Sequence, residues 1–264
     1  MSEIKVDTYE LRRDYPFLDK IWNLYEEFNE TVDNSDEYKF YYGKACEGIK
    51  NLVENDKKWY NDICIKLLRL LGIFSSVKNT DKYNSERCKS INSWLYYIIK
   101  DYDVHQDAFT NICDVSKGIL NERVKNPYCS YYLYKDKYND PDKIIKLINL
   151  QDYMNDALSM LKKGDDKNHC LFRKFIYECA NIYKEVNKKY CGSGTFNSSK
   201  KPNTCAKLKE FSTFFKLYIS TKENLIGKLP SLYNEETEKI PICPTDTGVQ
   251  ELKLEQKQEL YFSG

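Results

Sequence analysis

The sequence predicts an all-α fold: a single disulfide-stabilised domain of about seven to eight helices with long loops. Apolar residues recur at intervals of three and four in one segment after another, which is the period of a helix with one buried face. No stretch shows the sustained alternation of a half-buried strand, and no unit of about 20–50 residues repeats. The 23 Tyr, 12 Phe and 3 Trp supply ample material for a buried core, which argues against a disordered chain.

Four helices are predicted in the first part of the chain. The first begins at Pro16, because proline suits a first helical turn and Asp14 can act as its cap. The others cover residues 37–53, residues 59–74, and Cys88 to about Tyr102. The side chains predicted to face inward are Phe17, Ile21, Leu24, Tyr25, Phe28, Phe40, Cys46, Ile49, Val53, Ile63, Cys64, Leu67, Leu68, Leu70, Leu71, Cys88, Ile91, Trp94, Leu95, Ile98 and Ile99.

Four further helices are predicted at residues 105–120, from Pro141 to near Gly164, at residues 169–190, and from Thr204 to about Leu225. Asp140 and Pro141 give the second of these a cap and a first-turn proline. The proline-containing remainder is predicted to be a stalk-like tail. Residues 1–243 therefore form the helical domain, and residues 244–264 are a polar C-terminal tail that we leave out of the fold.

Ten cysteines point to structural disulfides in an oxidising compartment. They are Cys46, Cys64, Cys88, Cys113, Cys129, Cys170, Cys179, Cys191, Cys205 and Cys243. No two are separated by only two residues, which excludes zinc ribbons and thioredoxin-type redox sites. The alternative is that they are free buried thiols of a cytosolic protein. The pairing cannot be read from the sequence, with one exclusion: Cys170 and Cys179 lie on opposite faces of one predicted helix and cannot bond each other. Cys191 and Cys205 bracket the clearest loop of the chain, so a local bridge between them is one candidate pairing.

The charge distribution argues against nucleic acid as a partner. The chain carries a net charge of +1 at pH 7, whereas nucleic-acid binders are usually strongly basic. Residues 1–62 are acidic, and residues 182–209 carry seven Lys against one Glu. A solvated helix face and loop explains this basic segment, and a weak contact of residues 184–209 with a polyanion such as a sulfated glycan is the alternative.

The sequence offers no catalytic, cofactor-binding or metal-binding motif, so we predict that the protein is not an enzyme. Only two histidines are present: His105, and His169 beside Cys170. With ten dispersed cysteines, each thiol is better explained as a disulfide partner than as a nucleophile. Gly192-Ser-Gly-Thr lacks the Gly-Lys-Ser/Thr of a phosphate-binding loop.

The best candidate for an exposed interaction loop is the tyrosine-rich stretch with Tyr131, Tyr132, Tyr134 and Tyr138. Exposed tyrosines supply contact area at a small entropic cost, and the alternative is that they pack back onto the domain. Two glycosylation sequons are present by pattern, at Asn29 and at Asn197.

Three motifs resemble those of the Plasmodium interspersed repeat (PIR) family, in particular the vir group of vivax malaria. They are Cys88-x2-Ile91-Asn92-x-Trp94-Leu95-Tyr96, Cys170-x4-Phe175-x3-Cys179-x3-Tyr183, and Cys205-x2-Leu208-x2-Phe211-x3-Phe215-x2-Tyr218. The resemblance covers most of residues 1–243. It implies a helical, disulfide-bonded ectodomain whose core contains Ile91, Trp94, Leu95, Phe175, Tyr183, Leu208, Phe211 and Phe215. It also implies export toward the infected red-cell surface without an ordinary signal peptide.

The resemblance further implies one membrane span after the ectodomain and a short cytoplasmic tail. The first 20 residues are charged throughout, and no apolar run approaches the ~20 residues that a span needs. We therefore expect the sequence to be the ectodomain alone, attached to a membrane only through a span outside it.

The predicted function is that of a variant surface antigen in host-cell adhesion or immune evasion, with a host receptor or an antibody as its partner. In that prediction the cross-linked core holds the fold, while loops such as 75–87, 126–140 and 191–205 vary. The alternative is a carrier of a small ligand or lipid that uses the aromatic core as a pocket. An enzyme ranks third, because it would need polar groups that converge in a cleft.

Overall fold

The computed structural model describes residues 5–53, 58–71, 85–100, 110–112, 114, 132–161, 166–192, 201 and 203–244. Within these ranges all regular secondary structure is helical, which confirms the predicted all-α class. The helices are α1 (Tyr9–Asp14), α2 (Asp19–Asn29), α3 (Lys39–Val53), α4 (Lys58–Leu70), α5 (Ser85–Ile99), α6 (Tyr134–Lys137), α7 (Pro141–Leu161), α8 (Asp166–Tyr190), α9 (Thr204–Leu217) and α10 (Glu223–Ile226).

Two of the predicted helices are divided in the structure. Pro16 opens a 3₁₀ turn (Pro16–Leu18) between α1 and α2, because the missing amide of proline suits the start of a helical turn and not its continuation. In place of the last predicted helix, the structure has three pieces: α9 ends at Leu217, a 3₁₀ turn (Ile219–Lys222) follows, and α10 comes after it. Gly227, with φ of 86°, then ends the helical run in a conformation that a side chain would disfavour. Most of the helix predicted at residues 105–120 lies outside the described residues.

The chain divides into two compact units, which we describe separately. Unit 1 contains Met1–Glu10 and Lys20–Tyr138. Its core includes the fully buried Trp94, whose ring contacts Phe28 edge to face with 5.8 Å between ring centroids. Helices α3 and α4 pack against each other, and their buried residues include Cys46, Ile49, Ile63 and Leu67.

Unit 2 contains Leu11–Asp19 and Asn139–Gly264. The antiparallel helices α7 and α8 form its centre, and α9 packs against both. The short N-terminal segment contributes Phe17, whose ring lies 5.2 Å from Phe172 and 5.4 Å from Phe175, centroid to centroid. This segment belongs to a core built otherwise from residues more than 120 positions later in the chain.

Two large apolar side chains face solvent, Phe40 on α3 and Leu217 on α9. The side chain of Phe40 is 68% exposed, although the sequence predicted that it faces inward. The buried face of α3 is set by Tyr42, Cys46 and Ile49, and Phe40 points away from it because two residues turn a helix by roughly 200°. Leu217 at the end of α9 is 68% exposed as well.

Candidate interaction surfaces and the disulfide framework

The described cysteines form three complete cystines. Cys46 is bonded to Cys64, Cys170 to Cys243, and Cys191 to Cys205. The last is the local bridge across the loop that was one candidate pairing, and Cys170 is not paired with Cys179, as the helix geometry predicted. Cys88 is also disulfide-bonded, to a partner outside the described residues, where Cys113 and Cys129 lie as well. Cystines of this number are typical of an oxidising, extracellular environment.

Cys179 corrects the prediction that all ten cysteines are bridged. It is a free thiol with no exposed surface, and its Sγ lies 3.8 Å from the carbonyl oxygen of Lys146. It faces the interior between α8 and α7, so it occupies the position of a small apolar core residue. Complete burial raises the pKa of the thiol well above its ordinary value, and neighbouring Glu178 raises it further.

The residues that carry the family resemblance are packing residues. Ile91, Trp94, Leu95, Phe175, Leu208, Phe211 and Phe215 are all buried. Tyr183 is half-buried, and its ring lies 6.0 Å from that of Phe211. These positions therefore belong to the cores of their own units and present little surface to a partner.

The tyrosines of the predicted interaction loop are mostly buried, which corrects the prediction that they are exposed. Tyr134 and Tyr138 belong to the core of unit 1, Tyr132 is half-buried, and Tyr131 lies outside the described residues. The Tyr134 ring contacts Tyr132, Tyr138 and Tyr96, with centroids 5.3–6.4 Å apart. Mutual ring packing removes more apolar area from water than display of the rings would, so the aromatic cluster is a structural feature.

Asn29, one of the two sequon residues, is a hydrogen-bonding centre of unit 1. Its Nδ2 donates to the Val6 carbonyl (2.8 Å), and its Oδ1 accepts from the Val6 amide (2.9 Å) and from the Trp94 indole (3.0 Å). These bonds join the N-terminal segment to α2 and α5. Asn197, the other sequon residue, lies outside the described residues.

The segment predicted to be a stalk-like tail packs along α8 instead. We call residues 228–243 the strap. The Asn181 side chain pairs with the backbone of Glu238, as Nδ2 donates to the carbonyl (2.9 Å) and Oδ1 accepts from the amide (2.7 Å). The Cys170–Cys243 cystine fixes the other end. Between these two attachments the strap runs antiparallel to α8.

Lys184 is the main ionic attachment of the strap. Its Nζ donates to the Glu236 carbonyl (2.7 Å), the Glu238 carboxylate (3.0 Å) and the Asn234 side-chain oxygen. The ammonium group thus uses all three protons, and the lysine side chain is only 11% exposed. Sequence reasoning missed this attachment because single polar residues about 50 positions apart carry no periodic signal.

One cluster of ionisable side chains in unit 2 has some features of a catalytic site. Lys146 Nζ donates to the Tyr15 hydroxyl (2.9 Å), and that hydroxyl donates to Glu178 (3.1 Å). Burial first, and then the Glu178 charge, raise the pKa of Tyr15. Burial lowers the pKa of Lys146, but Tyr15 and Glu178 outweigh burial and hold it above its ordinary value. Tyr15 and Lys146 therefore stay protonated near neutral pH, which is the opposite of what a nucleophile or general base requires.

The basic segment is partly neutralised by ion pairs. Lys184 pairs with Glu238, Lys189 with Asp140, and Lys207 with Glu210. Lys188 and Lys209 are exposed. The contact of residues 184–209 with a polyanion stays a prediction, and it would depend mainly on lysines outside these pairs.

The described residues contain neither a cluster of metal ligands nor a helix suited to a membrane span. Among the residues of the ranges given above, no group of three or more His, Cys, Asp or Glu side chains is placed to hold a metal ion. Likewise, no helix in the described part of the chain is long and apolar enough to cross a membrane. His169 hydrogen-bonds through Nε2 to the Leu225 carbonyl at 2.9 Å, and His105 lies outside those ranges.

The comparisons with known proteins give no relative. No protein-family model, no curated protein and no solved structure matches the chain.

Proposed function

We propose that the chain is the ectodomain of a PIR-type variant surface antigen, which acts at the surface of malaria-infected red cells in host adhesion or immune evasion. The observation that carries the proposal is the role of the residues that resemble the family. Trp94 and Phe211 are core residues, and Cys170 and Cys205 are in cystines. A cross-linked helical core of this kind suits a domain outside the cell, because it keeps its fold while surface loops change.

The packing of the aromatic residues favours the antigen proposal over the alternative function, a carrier of a small ligand or lipid. Three ring contacts link Tyr15 to Phe175, Phe175 to Phe17, and Phe17 to Phe172, with centroids 5.0–5.4 Å apart, so these rings fill space in the core of unit 2. A carrier would instead need such side chains to line a cavity.

The test is antibody labelling of intact infected red cells. Antibodies are raised against the oxidised chain, and a matched serum is raised against the reduced and alkylated chain. We expect the first serum to label live, unpermeabilised cells, and we expect trypsin treatment of those cells to remove the signal. Labelling that requires permeabilisation would contradict the proposal.

A further inference from the structure

The side of α8 that faces the strap holds it as a binding site holds a peptide. Asn181 uses both ends of its side-chain amide on the main chain of one strap residue, Glu238, at 2.9 Å and 2.7 Å. Lys184 binds the carboxylate of the same residue at 3.0 Å and the Glu236 carbonyl at 2.7 Å. In peptide recognition of this kind, main-chain hydrogen bonds supply affinity and a bound side chain supplies selectivity. Helix α8 is therefore a receptor for an extended acidic segment.

The strap is a ligand that can turn away from its receptor at a hinge. It follows Gly227, which has φ of 86° and around which a Cβ would meet no atom within 4 Å. Because glycine adopts positive and negative φ about equally, the chain can leave Gly227 in another direction. Within the strap, Pro230, Leu232 and Cys243 are buried, and the other residues are half-buried or exposed. Lifting the strap therefore moves little apolar surface into water.

The Cys170–Cys243 cystine closes the attachment, and one of its sulfurs is open to thiol exchange. Cys170 is half-buried, whereas Cys243 is only 1% exposed. A glutathione thiolate therefore attacks Cys170 Sγ, the S–S bond breaks, and Cys243 leaves as a thiolate. When a Cys243 thiolate next attacks the Cys170–glutathione disulfide, the cystine forms again and the glutathione thiolate leaves. No oxidant or reductant is consumed, so the bond forms equally well with the Cys243 of another copy.

We propose that α8 also binds the strap of a second copy of this chain, which gives a strap-exchanged dimer locked by two Cys170–Cys243 cystines between the copies. The second strap is the occupant because it carries the main chain and carboxylate of Glu238 that Asn181 and Lys184 hold, and the cysteine that Cys170 bonds. Reciprocal exchange closes as a two-fold dimer and restores each contact that it removes. The inference is independent of the proposed function.

The balance between the two forms depends on concentration. Both forms make the same contacts, so the monomer is favoured only because its own strap is tethered near α8. A short flexible connection gives such a tethered segment an effective concentration in the millimolar range. We therefore expect the strap-exchanged dimer to be a minor species at about 10 µM and a substantial one at about 1 mM.

Isotope mixing of the full oxidised chain tests the proposal. Labelled and unlabelled chains are combined equally at about 1 mM, incubated with reduced and oxidised glutathione, quenched with acid and digested for mass spectrometry. We expect Cys170–Cys243 peptides that join a labelled half to an unlabelled half, at least about tenfold fewer when the mixture is held at about 10 µM. Cys191–Cys205 is the matched control, because it lies in the same unit and its cysteines are also half-buried. Its peptides should stay unmixed.

Two outcomes of this experiment would overturn the proposal. The first is that Cys170–Cys243 peptides stay wholly labelled or wholly unlabelled at every concentration. The second is that Cys191–Cys205 peptides mix to the same extent, because the copies would then trade cysteine partners without any exchange of the strap.

Charge exchange between copies tests whether α8 is the receptor. Lys184→Glu in one chain and Glu238→Lys in another each set like charges between α8 and the chain's own strap. Only straps exchanged between these two variants restore opposite charges. By sedimentation velocity in the glutathione buffer, we expect their mixture to dimerise at least about tenfold more tightly than either variant alone.

The matched control replaces Glu238→Lys with Glu236→Lys, because Glu236 meets Lys184 through its backbone carbonyl. Circular dichroism confirms the fold of each variant. A mixture of Lys184→Glu with Glu236→Lys should gain nothing. Either no gain with Glu238→Lys or an equal gain with Glu236→Lys would overturn the proposal.

Discussion

At the scale of single residues, Asn29 has a structural role that its sequon pattern does not reveal. By pattern it is a glycosylation sequon, yet its amide makes three hydrogen bonds to Val6 and Trp94. An attached glycan would compete with this arrangement at Nδ2. The bonds explain why an asparagine ends α2, since no other side chain presents a donor and an acceptor at this length and position.

We expect Asn29→Ala to lower the free energy of unfolding by about 2–3 kcal/mol, because it leaves polar groups of Val6 and Trp94 without their partner. Urea denaturation followed by circular dichroism measures the change. Thr31→Ala is the matched control, since it also removes the sequon but changes only an exposed side chain. That variant should stay within about 0.5 kcal/mol of the parent. Equal losses in both variants would contradict a structural role for Asn29.

Cys179 gives a second prediction at this scale. Only a thiolate reacts with iodoacetamide, and burial both shields this thiol and holds its pKa above the ordinary value. In the folded, unreduced protein we expect Cys179 to stay unlabelled at pH 7 and at pH 8.5. After unfolding in guanidinium without reductant it should be labelled completely, whereas the six cysteines of the three cystines stay blocked. Peptide mass spectrometry distinguishes these states, and labelling of Cys179 in the native protein would contradict its burial.

At the scale of elements, the Glu238 carboxylate is one of the groups that hold the strap. Partial burial raises the pKa of Glu238, but hydrogen bonds from Lys184, Asn234 and the Ser231 amide outweigh burial and hold the pKa below its ordinary value. The carboxylate therefore stabilises the strap at pH values above the usual Glu pKa of about 4.3. This stabilisation is lost as the pH falls through the lower pKa of the folded state.

We expect Glu238→Gln to increase hydrogen exchange of residues 231–240 at pH 7, because the amide cannot replace the charge-assisted bond from Lys184. The parent should approach the exchange of the variant only under acid conditions, where Glu238 is protonated. Glu236→Gln is the matched control, since Glu236 contributes only its backbone carbonyl to Lys184. If both variants exchange alike, the Glu238 carboxylate does not hold the strap.

The elements differ in how far the sequence determines them. Helices such as α5 and α8 could be predicted because their periodic apolar residues are local in sequence. The prediction that Phe40 lies on the buried face of α3 was wrong. A short apolar run fits either of two neighbouring helix faces, and only packing selects the buried one. The tyrosine cluster was misplaced for a related reason, since composition does not distinguish a displayed ring from one that packs against its neighbours.

At the scale of the whole molecule, the decisive contacts join distant parts of the chain. The segment Leu11–Asp19 belongs to unit 2, and the strap is attached to helix residues about 50 positions upstream. Such contacts leave no periodic pattern, so neither the composition of the two units nor the path of the strap could be predicted. The Cys191–Cys205 bridge could be suggested because it spans one loop, whereas the Cys170–Cys243 bridge could not.

The loop lengths of these two cystines predict a ranking of stability. Cys170–Cys243 closes a sequence separation of 73 residues and Cys191–Cys205 one of 14. In the loop-entropy model a longer loop restricts the unfolded chain more, which gives contributions of about 4.4 and about 3 kcal/mol. The double variant C170A/C243A should therefore lose more free energy of unfolding than C191A/C205A, by about 1.4 kcal/mol.

Guanidinium unfolding of both variants under non-reducing conditions measures this ranking. The loss in C170A/C243A has a second source, because without the cystine the strap is held by noncovalent contacts alone, among them those of Tyr177, Asn181 and Lys184. Hydrogen exchange separates the two sources: the loop-entropy effect lowers protection throughout unit 2, whereas local release raises exchange in residues 228–243 alone. A larger loss in C191A/C205A would contradict the ranking, and it would mean that the fold depends more on the 191–205 loop than on the strap.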